Sequence, residues 1–398
     1  MNNATFLIHG GTVLTSHRQI PGGAVLVVDG VIKEILEPGS PLPDVPGIDA
    51  KGQYISPGFI DIHIHGGGDS DFMEGTVDAY LTIARTHAKY GTTGMFPTTL
   101  SGKWEDFIKT LDAYEEAEET NTDGAEFLGL HIEGPYLAMS QKGAQDPRYI
   151  RNPVPEEYEY VIRNYPFVKR WSIAPELPGA MEFGAFMRQH GVLTAIAHTD
   201  ALFEDVVRAH EAGFSLATHF YSAMSGVTRR DAFRYAGSIE ATYVLDAMDV
   251  EIIGDGVHLP GSLLQYILKV KGTDRTALIT DAMRAAGMGE GPSILGTKED
   301  GLEVIVEDGV AKLPDRSAFA GSVATMDRTV RTIMEKAHVP LVEAVKMASL
   351  VPARIMKIDD RKGSISPRKD ADIILFDEDI QVSTVIVKGR VIYQAENA

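Results

Sequence analysis

Residues 59–68 read Phe59-Ile60-Asp61-Ile62-His63-Ile64-His65-Gly66-Gly67-Gly68. A near-continuous apolar run of this length suits a strand buried on both faces. His63 and His65 stand two apart, so on a strand both imidazoles project to one side. Five more apolar runs end in similar groups: Leu130-His131-Ile132-Glu133, Ile196-Ala197-His198, Ala217-Thr218-His219, Ile252-Ile253-Gly254-Asp255-Gly256-Val257-His258 and Leu278-Ile279-Thr280-Asp281. One such segment is ordinary. Six spread over more than half the chain point to strand ends that converge. A parallel barrel gathers the C-terminal ends of all its strands on one face, and a divalent ion held by imidazole and carboxylate is the simplest reason to collect those side chains there.

The intervening pattern supports this. Candidate strands at 59–65, 94–98, 127–133, 168–174, 193–198, 215–219, 251–255 and 277–281 alternate with helical stretches at 77–89, 104–118, 156–164, 182–189, 203–212 and 262–271. Eight such repeats predict a (β/α)8 TIM barrel over residues 56–357. An open doubly wound sheet is the alternative, but no G-x-G-x-x-G phosphate loop follows an early strand. Gly66-Gly67-Gly68 reads as a flexible loop beside the site. The ends differ in texture. Short β-branched strands at 5–8, 12–14, 24–28 and 31–35 match others at 371–376, 383–387 and 391–393, with turns at Asp29-Gly30 and Lys388-Gly389. They predict a small β-sandwich built from residues 1–55 plus 358–398. A hairpin around Asp308-Gly309, within 301–313, and helices at 325–336 and 341–349 complete the reading.

Composition narrows the function. The 398 residues are 44% apolar and carry a net charge of −19, which argues against nucleic acid or an anionic membrane as partner. Cysteine is absent, so thiolate ligands and disulfides are excluded, in keeping with a cytoplasmic setting. No apolar stretch approaches the ~20 residues of a membrane span, and the N-terminal stretch lacks the basic-then-apolar pattern of a secretory signal.

A histidine at the end of a buried strand can be a satisfied core residue, but three strands ending in Glu133, His198 and His219 form a catalytic-type His2Glu set. Asp281 can take a proton from activated water and return it to a leaving nitrogen; the competing reading is a helix N-cap. His131 is open between a supporting and a structural role. Strand four offers no lysine at its C-terminal end, since Lys169 lies at the other end. A lysine-derived bridge between two metals is therefore excluded, and Glu133 is the candidate bridge.

In these motifs, and in Gly91-Thr92-Thr93, Lys142-Gly143-Ala144, Phe319-Ala320-Gly321-Ser322 and Asp370-Ala371-Asp372, the chain resembles the amidohydrolase superfamily, and within it the N-acetylglucosamine-6-phosphate deacetylase family. The resemblance implies Glu133, His198 and His219 as principal ligands of a divalent metal, with His63 and His65 holding a second ion. Zinc suits the donors; iron, manganese and cobalt are compatible. It implies Asp281 as general base and acid, with metal-held hydroxide attacking the acetyl carbonyl of a small amino sugar phosphate. Arg230 and His258 fall where the family recognises substrate, and a homodimer shares the phosphate site. Three positions depart from the family pattern: Ser222 (beside Ala223) replaces an asparagine, Gln145 a histidine, and Asp231-Ala232-Phe233 a Glu-Pro-Gly. All lie in substrate recognition, so another N-acyl amino sugar or a small amide stays open as the substrate. A catalytically silent ligand-binding relative is the remote alternative, opposed by the intact ligand set.

Overall fold

The computed structural model describes residues 5–395; residues 1–4 and 396–398, assigned above to the small domain, lie outside the described residues. Eight parallel strands pair in sequence order: Phe59–Ile64, Thr92–Thr99, Leu130–Glu133, Val168–Ile173, Leu193–Ile196, Phe214–Ala217, Asp249–Ile253 and Thr276–Ile279. The first and eighth strands meet at their C-terminal ends. There Asp281 N–H donates to the His63 carbonyl (2.9 Å) and His65 N–H to the Ala282 carbonyl (2.8 Å). Below them the buried Asp61 carboxylate accepts from the Thr280 hydroxyl and, at 3.3 Å, from the Thr280 N–H. These bonds close the (β/α)8 barrel; the sheet is not open.

The helices form where apolar residues recur at helical spacing. In Trp104–Thr120 the buried Phe107, Leu111 and Tyr114 share one face. Thr76 caps Val77–Ala88 by accepting from Ala79 N–H, and Gly213, with φ of 119°, ends Phe203–Ala212. Pro155–Asn164, Ala180–Gln189 and Gly261–Lys271 lie near the expected positions. The helices Ser238–Val244 and Leu350–Ile355 and the hairpin of Thr228–Arg230 with Phe233–Tyr235 were not legible in the sequence. None is long enough to establish a period.

Two expectations need correction. Strands five, six and eight stop at Ile196, Ala217 and Ile279, so His198, His219 and Asp281 lie just beyond them rather than within. The Gly66–Gly68 segment is also not a loose loop. Gly66 and Gly67 pair with Ser70 and Asp71, and Gly66 N–H donates to the Ala282 carbonyl at 2.9 Å. A Cβ on Gly66 would sit 2.4 Å from the Ser70 carbonyl oxygen, and one on Gly67 2.5 Å from His87 Nε2. Close packing, not mobility, requires these glycines.

Two sheets flank the barrel sequence. One pairs Thr5–His9, Gly47–Asp49, Ala24–Val28 and Val31–Leu36. The other joins both ends of the chain, with Ile373–Phe376 antiparallel to Tyr54–Pro57, and a shared apolar core including Ile8, Val25, Ile55 and Ile373 lies between them. After strand eight, Gly291–Leu295, Leu302–Glu307, Val310–Lys312 and Phe319–Ser322 make a four-stranded antiparallel sheet. Its last strand returns to the barrel mouth, where Ser322 N–H donates to the Asp281 carbonyl at 2.8 Å. No described helix is long and apolar enough to cross a membrane.

His87 gives a test of the packing around the glycines. Burial pushes its pKa from 6.5 down to about 4, although the Gly66 carbonyl, at 2.9 Å from Nε2, partly opposes the shift. A depressed folded pKa adds stability that is present above pH 6.5 and is lost as pH falls through 4, with an upper bound of roughly 3 kcal/mol. Urea midpoints of metal-free protein should therefore fall from pH 7 to pH 4 more steeply for the parent than for His87→Gln. Parallel pH curves would contradict this.

Candidate active site

At the C-terminal mouth of the barrel, two side-chain groups share one carboxylate. His63, His65 and Glu133 form one, and Glu133, His198 and His219 the other; every residue in both is buried. Glu133 Oε1 lies 2.9 Å from His219 Nε2, 3.4 Å from His198 Nε2 and 3.6 Å from His63 Nε2. Its Oε2 lies 3.5 Å from His65 Nε2. Asp281 Oδ1 completes the cluster, 3.1 Å from His65 Nε2 and 3.4 Å from His63 Nε2. Donors around a tetrahedral ion with bonds of ~2.1 Å stand about 3.4 Å apart, so these separations fit metal coordination.

The electrostatics agree. Burial opposes ionisation of Glu133, yet His63, His198 and His219 hold its carboxyl well below the usual range. Burial also opposes charging of His63, but Glu133 and Asp281 outweigh it and push its pKa up to about 10. The centre of the cluster favours positive charge. Asp281 is held below its ordinary value, against burial, chiefly by His63 and His65. It is therefore a carboxylate at neutral pH, able to accept a proton.

Local backbone geometry aims these groups. His198, His219 and Asp281 have φ of 44°, 28° and 49°, a left-handed region that costs non-glycine residues of order 1–3 kcal/mol each. The chain turns sharply after each strand, and neighbours hold the turn. His198 Nδ1 lies 2.8 Å from the Gln141 carbonyl, and His219 Nδ1 3.2 Å from the Ser222 carbonyl. Glu176 Oε1 accepts from Asp200 N–H and its Oε2 from the Thr199 hydroxyl, both at 2.6 Å, bracing the turn that carries His198. No helix follows Asp281, so the N-cap reading fails.

A recess of about 200 Å³ opens above the cluster, with Gln145, Ser222, Ala223, His258, Leu100 and Phe319 among its walls. His258 Nδ1 is 2.7 Å from Asp255 Oδ2, which orients the ring. Gln145 donates to Glu133 Oε2 (2.8 Å) and accepts from Ser101 N–H (2.9 Å), so its amide is committed to Glu133. His131 sits lower in the barrel, between Ser172 Oγ at 2.7 Å and Thr98 Oγ1 at 3.1 Å; it belongs to neither three-residue group, but its ring packs against that of His63, with centroids 4.8 Å apart. Arg230 is not brought to the recess. It lies on the exposed Thr228–Arg230 strand, its guanidinium 5.6 Å from the Tyr235 ring centroid, and among the described residues no lysine or arginine lines the recess.

Sequence reasoning missed Glu176, Arg170 and Glu251. The last two are fully buried and paired inside the barrel. A charged residue in the middle of an apolar strand was the available signal.

Residues 54–392 match the amidohydrolase family. The chain is 34% identical over 358 residues to the N-acetylglucosamine-6-phosphate deacetylase of Lysinibacillus sphaericus, covering 89% of each chain. It is 29% identical over 388 residues to an N-acetylgalactosamine-6-phosphate deacetylase of Escherichia coli, covering 97% of this chain and 99% of that one. The crystal structure of N-acetylglucosamine-6-phosphate deacetylase from Pasteurella multocida superposes with a TM-score of 0.91 at 27% identity, over 98% of this chain and 100% of that chain.

Because Glu133 belongs to both groups, Glu133→Gln should reduce zinc affinity by more than the roughly 10–100-fold typical of losing an outer partner of a ligand. Elemental analysis after dialysis against limiting zinc measures this; parent-like metal content would refute it.

Proposed function

The chain belongs to the amidohydrolase family, and on that premise we propose that it removes the acetyl group from an N-acetylated amino sugar 6-phosphate, N-acetylglucosamine 6-phosphate before others. The observation that carries this reading is the Glu133 carboxylate set between two imidazole pairs, with Asp281 beside them under an open recess. The relatives' named activities supply the substrate class.

Glu133, His63, His65, His198 and His219 would hold one or two divalent ions, zinc by donor type, with iron, manganese and cobalt compatible. When bound, the metal supplies an activated water and polarises the acyl carbonyl. Asp281 takes the proton of the attacking water and delivers it to the amine nitrogen as the C–N bond breaks. His258, fixed by Asp255, presents its second ring nitrogen to the sugar. Ser222 and Ala223 shape part of the recess wall.

With no lysine or arginine among the described residues lining the recess, a substrate phosphate needs positive charge from elsewhere. Arg230 projects from a hairpin whose Phe233 is 71% exposed. We assign that hairpin to a homodimer contact in which Arg230 of one copy serves the recess of the other. A small-molecule substrate, no nucleic-acid or membrane partner and a cytoplasmic setting complete the reading. The galactosamine epimer is the second reading, favoured by the Escherichia coli relative.

Deacetylation assays on both 6-phosphates decide between them; absence of turnover of either by zinc-loaded protein would refute the reading. Asp281→Asn should lower kcat by roughly 10²–10⁴-fold while zinc content stays near that of the parent. Arg230→Ala should raise KM for the phosphorylated sugar and leave the unphosphorylated one unchanged. Equal losses on both sugars would make Arg230 structural.

A further inference from the structure

Four imidazoles face the cluster, and each rests its Nδ1 on a partner. For His65 the partner is the Thr98 carbonyl at 3.2 Å, for His198 the Gln141 carbonyl and for His219 the Ser222 carbonyl. His63 differs: its Nδ1 faces the Glu251 carboxylate, with Oε2 at 3.5 Å. At that length the contact is electrostatic more than a short hydrogen bond. Both residues are fully buried, where charge is poorly screened.

Glu251 is itself fixed. It lies mid-strand in Asp249–Ile253, and the Arg170 guanidinium from strand four grips both of its oxygens, Nη2 reaching Oε2 at 2.8 Å. Arg170 is held in turn by the Ile62 carbonyl and the Thr218 hydroxyl, each at 3.0 Å. The pair is neutral overall, so it adds no net repulsion toward a cation above it. Arg170 alone would place a fixed positive charge beneath the cluster.

We propose that Glu251, anchored by Arg170, is a positioning residue for His63 that selectively tightens metal binding at the His63–His65–Glu133 group. The carboxylate keeps the His63 proton on Nδ1 and directs the Nε2 lone pair to the cluster. A carboxylate partner also makes the imidazole a stronger donor than a carbonyl partner does. The same Oε2 lies 3.4 Å from His219 N–H, a backbone contact that leaves the His219 ring on its own partner, Ser222. The Glu133–His198–His219 group therefore depends on Glu251 far less. This inference rests on the metal-dependent reading above.

The test is a competitive titration of the full-length protein with Zn²⁺ and a chromophoric chelator, with elemental analysis. Glu251→Gln should weaken one zinc equivalent by about 10–100-fold and leave the other within a few-fold of the parent. Since that variant leaves Arg170 uncompensated, the double substitution Arg170→Met with Glu251→Met is the control for folding; paired apolar replacement of a buried ion pair is commonly tolerated. It should show the same selective loss. Added to His63→Ala, Glu251→Gln should cause little further loss, because both changes remove one interaction. Parent-like zinc binding in both Glu251 variants would overturn the inference alone, as would an equal loss at both groups, which marks a general structural role. A parent protein that binds no zinc would overturn the metal reading itself, and this inference with it.

Discussion

The constraint on which the mouth of the barrel depends is the burial of carboxylates and imidazoles around one point. Glu133 and Asp281 are buried carboxylates within 3.6 Å of His63 Nε2, and a buried charge persists only when paired. The imidazoles partly satisfy that demand by taking up protons, which is why His63 holds one so firmly. A divalent cation satisfies it better, because all four rings then act as neutral donors and both acids keep their charge. The cluster is thus built around positive charge, and the barrel closes where its members meet: Asp281 N–H bonds the His63 carbonyl.

That closure explains the strain at the ends of the strands. His63 and Glu133 reach the common centre from within their strands. His198, His219 and Asp281 reach it from left-handed turns just beyond their strands. The unfavourable conformations are held by bonds elsewhere: Glu176 on the His198 turn, the Ser222 carbonyl on His219, and Ser322 on the Asp281 carbonyl. Ser322 comes from the antiparallel sheet inserted after strand eight, so that insertion supports the rim and, through Phe319, walls the recess.

Beneath the rim, the interior of the barrel is polar rather than purely apolar. Arg170, Glu251, Ser172, Thr218 and His131 are all buried and bonded to one another or to strand carbonyls. Such a network is stable only if nearly complete. It forms the floor of the cluster, whereas the recess above is walled by loops and by the inserted sheet through Leu295 and Phe319. The division suits a site that must hold fixed donors and admit a sugar.

The closed barrel, its longer helices and the strands of the two β-rich ends were legible because period, strand count and turn residues act locally, and each can be read along the chain. The segments carrying the clustered imidazoles and acids were legible for the same reason: a polar residue ending an apolar run stands out. The left-handed turns, the packed glycines at Gly66 and Gly67, and the commitment of Gln145 to Glu133 were not, since each depends on neighbours distant in sequence. Arg170 and Glu251 show the limit most clearly. Eighty-one residues separate them, and neither belongs to a motif; only the folded barrel sets one against the other. Sequence by itself determined which groups are available and which end of each strand bears them. Tertiary structure decided which atoms face which, because closing the cylinder fixes the distances across it.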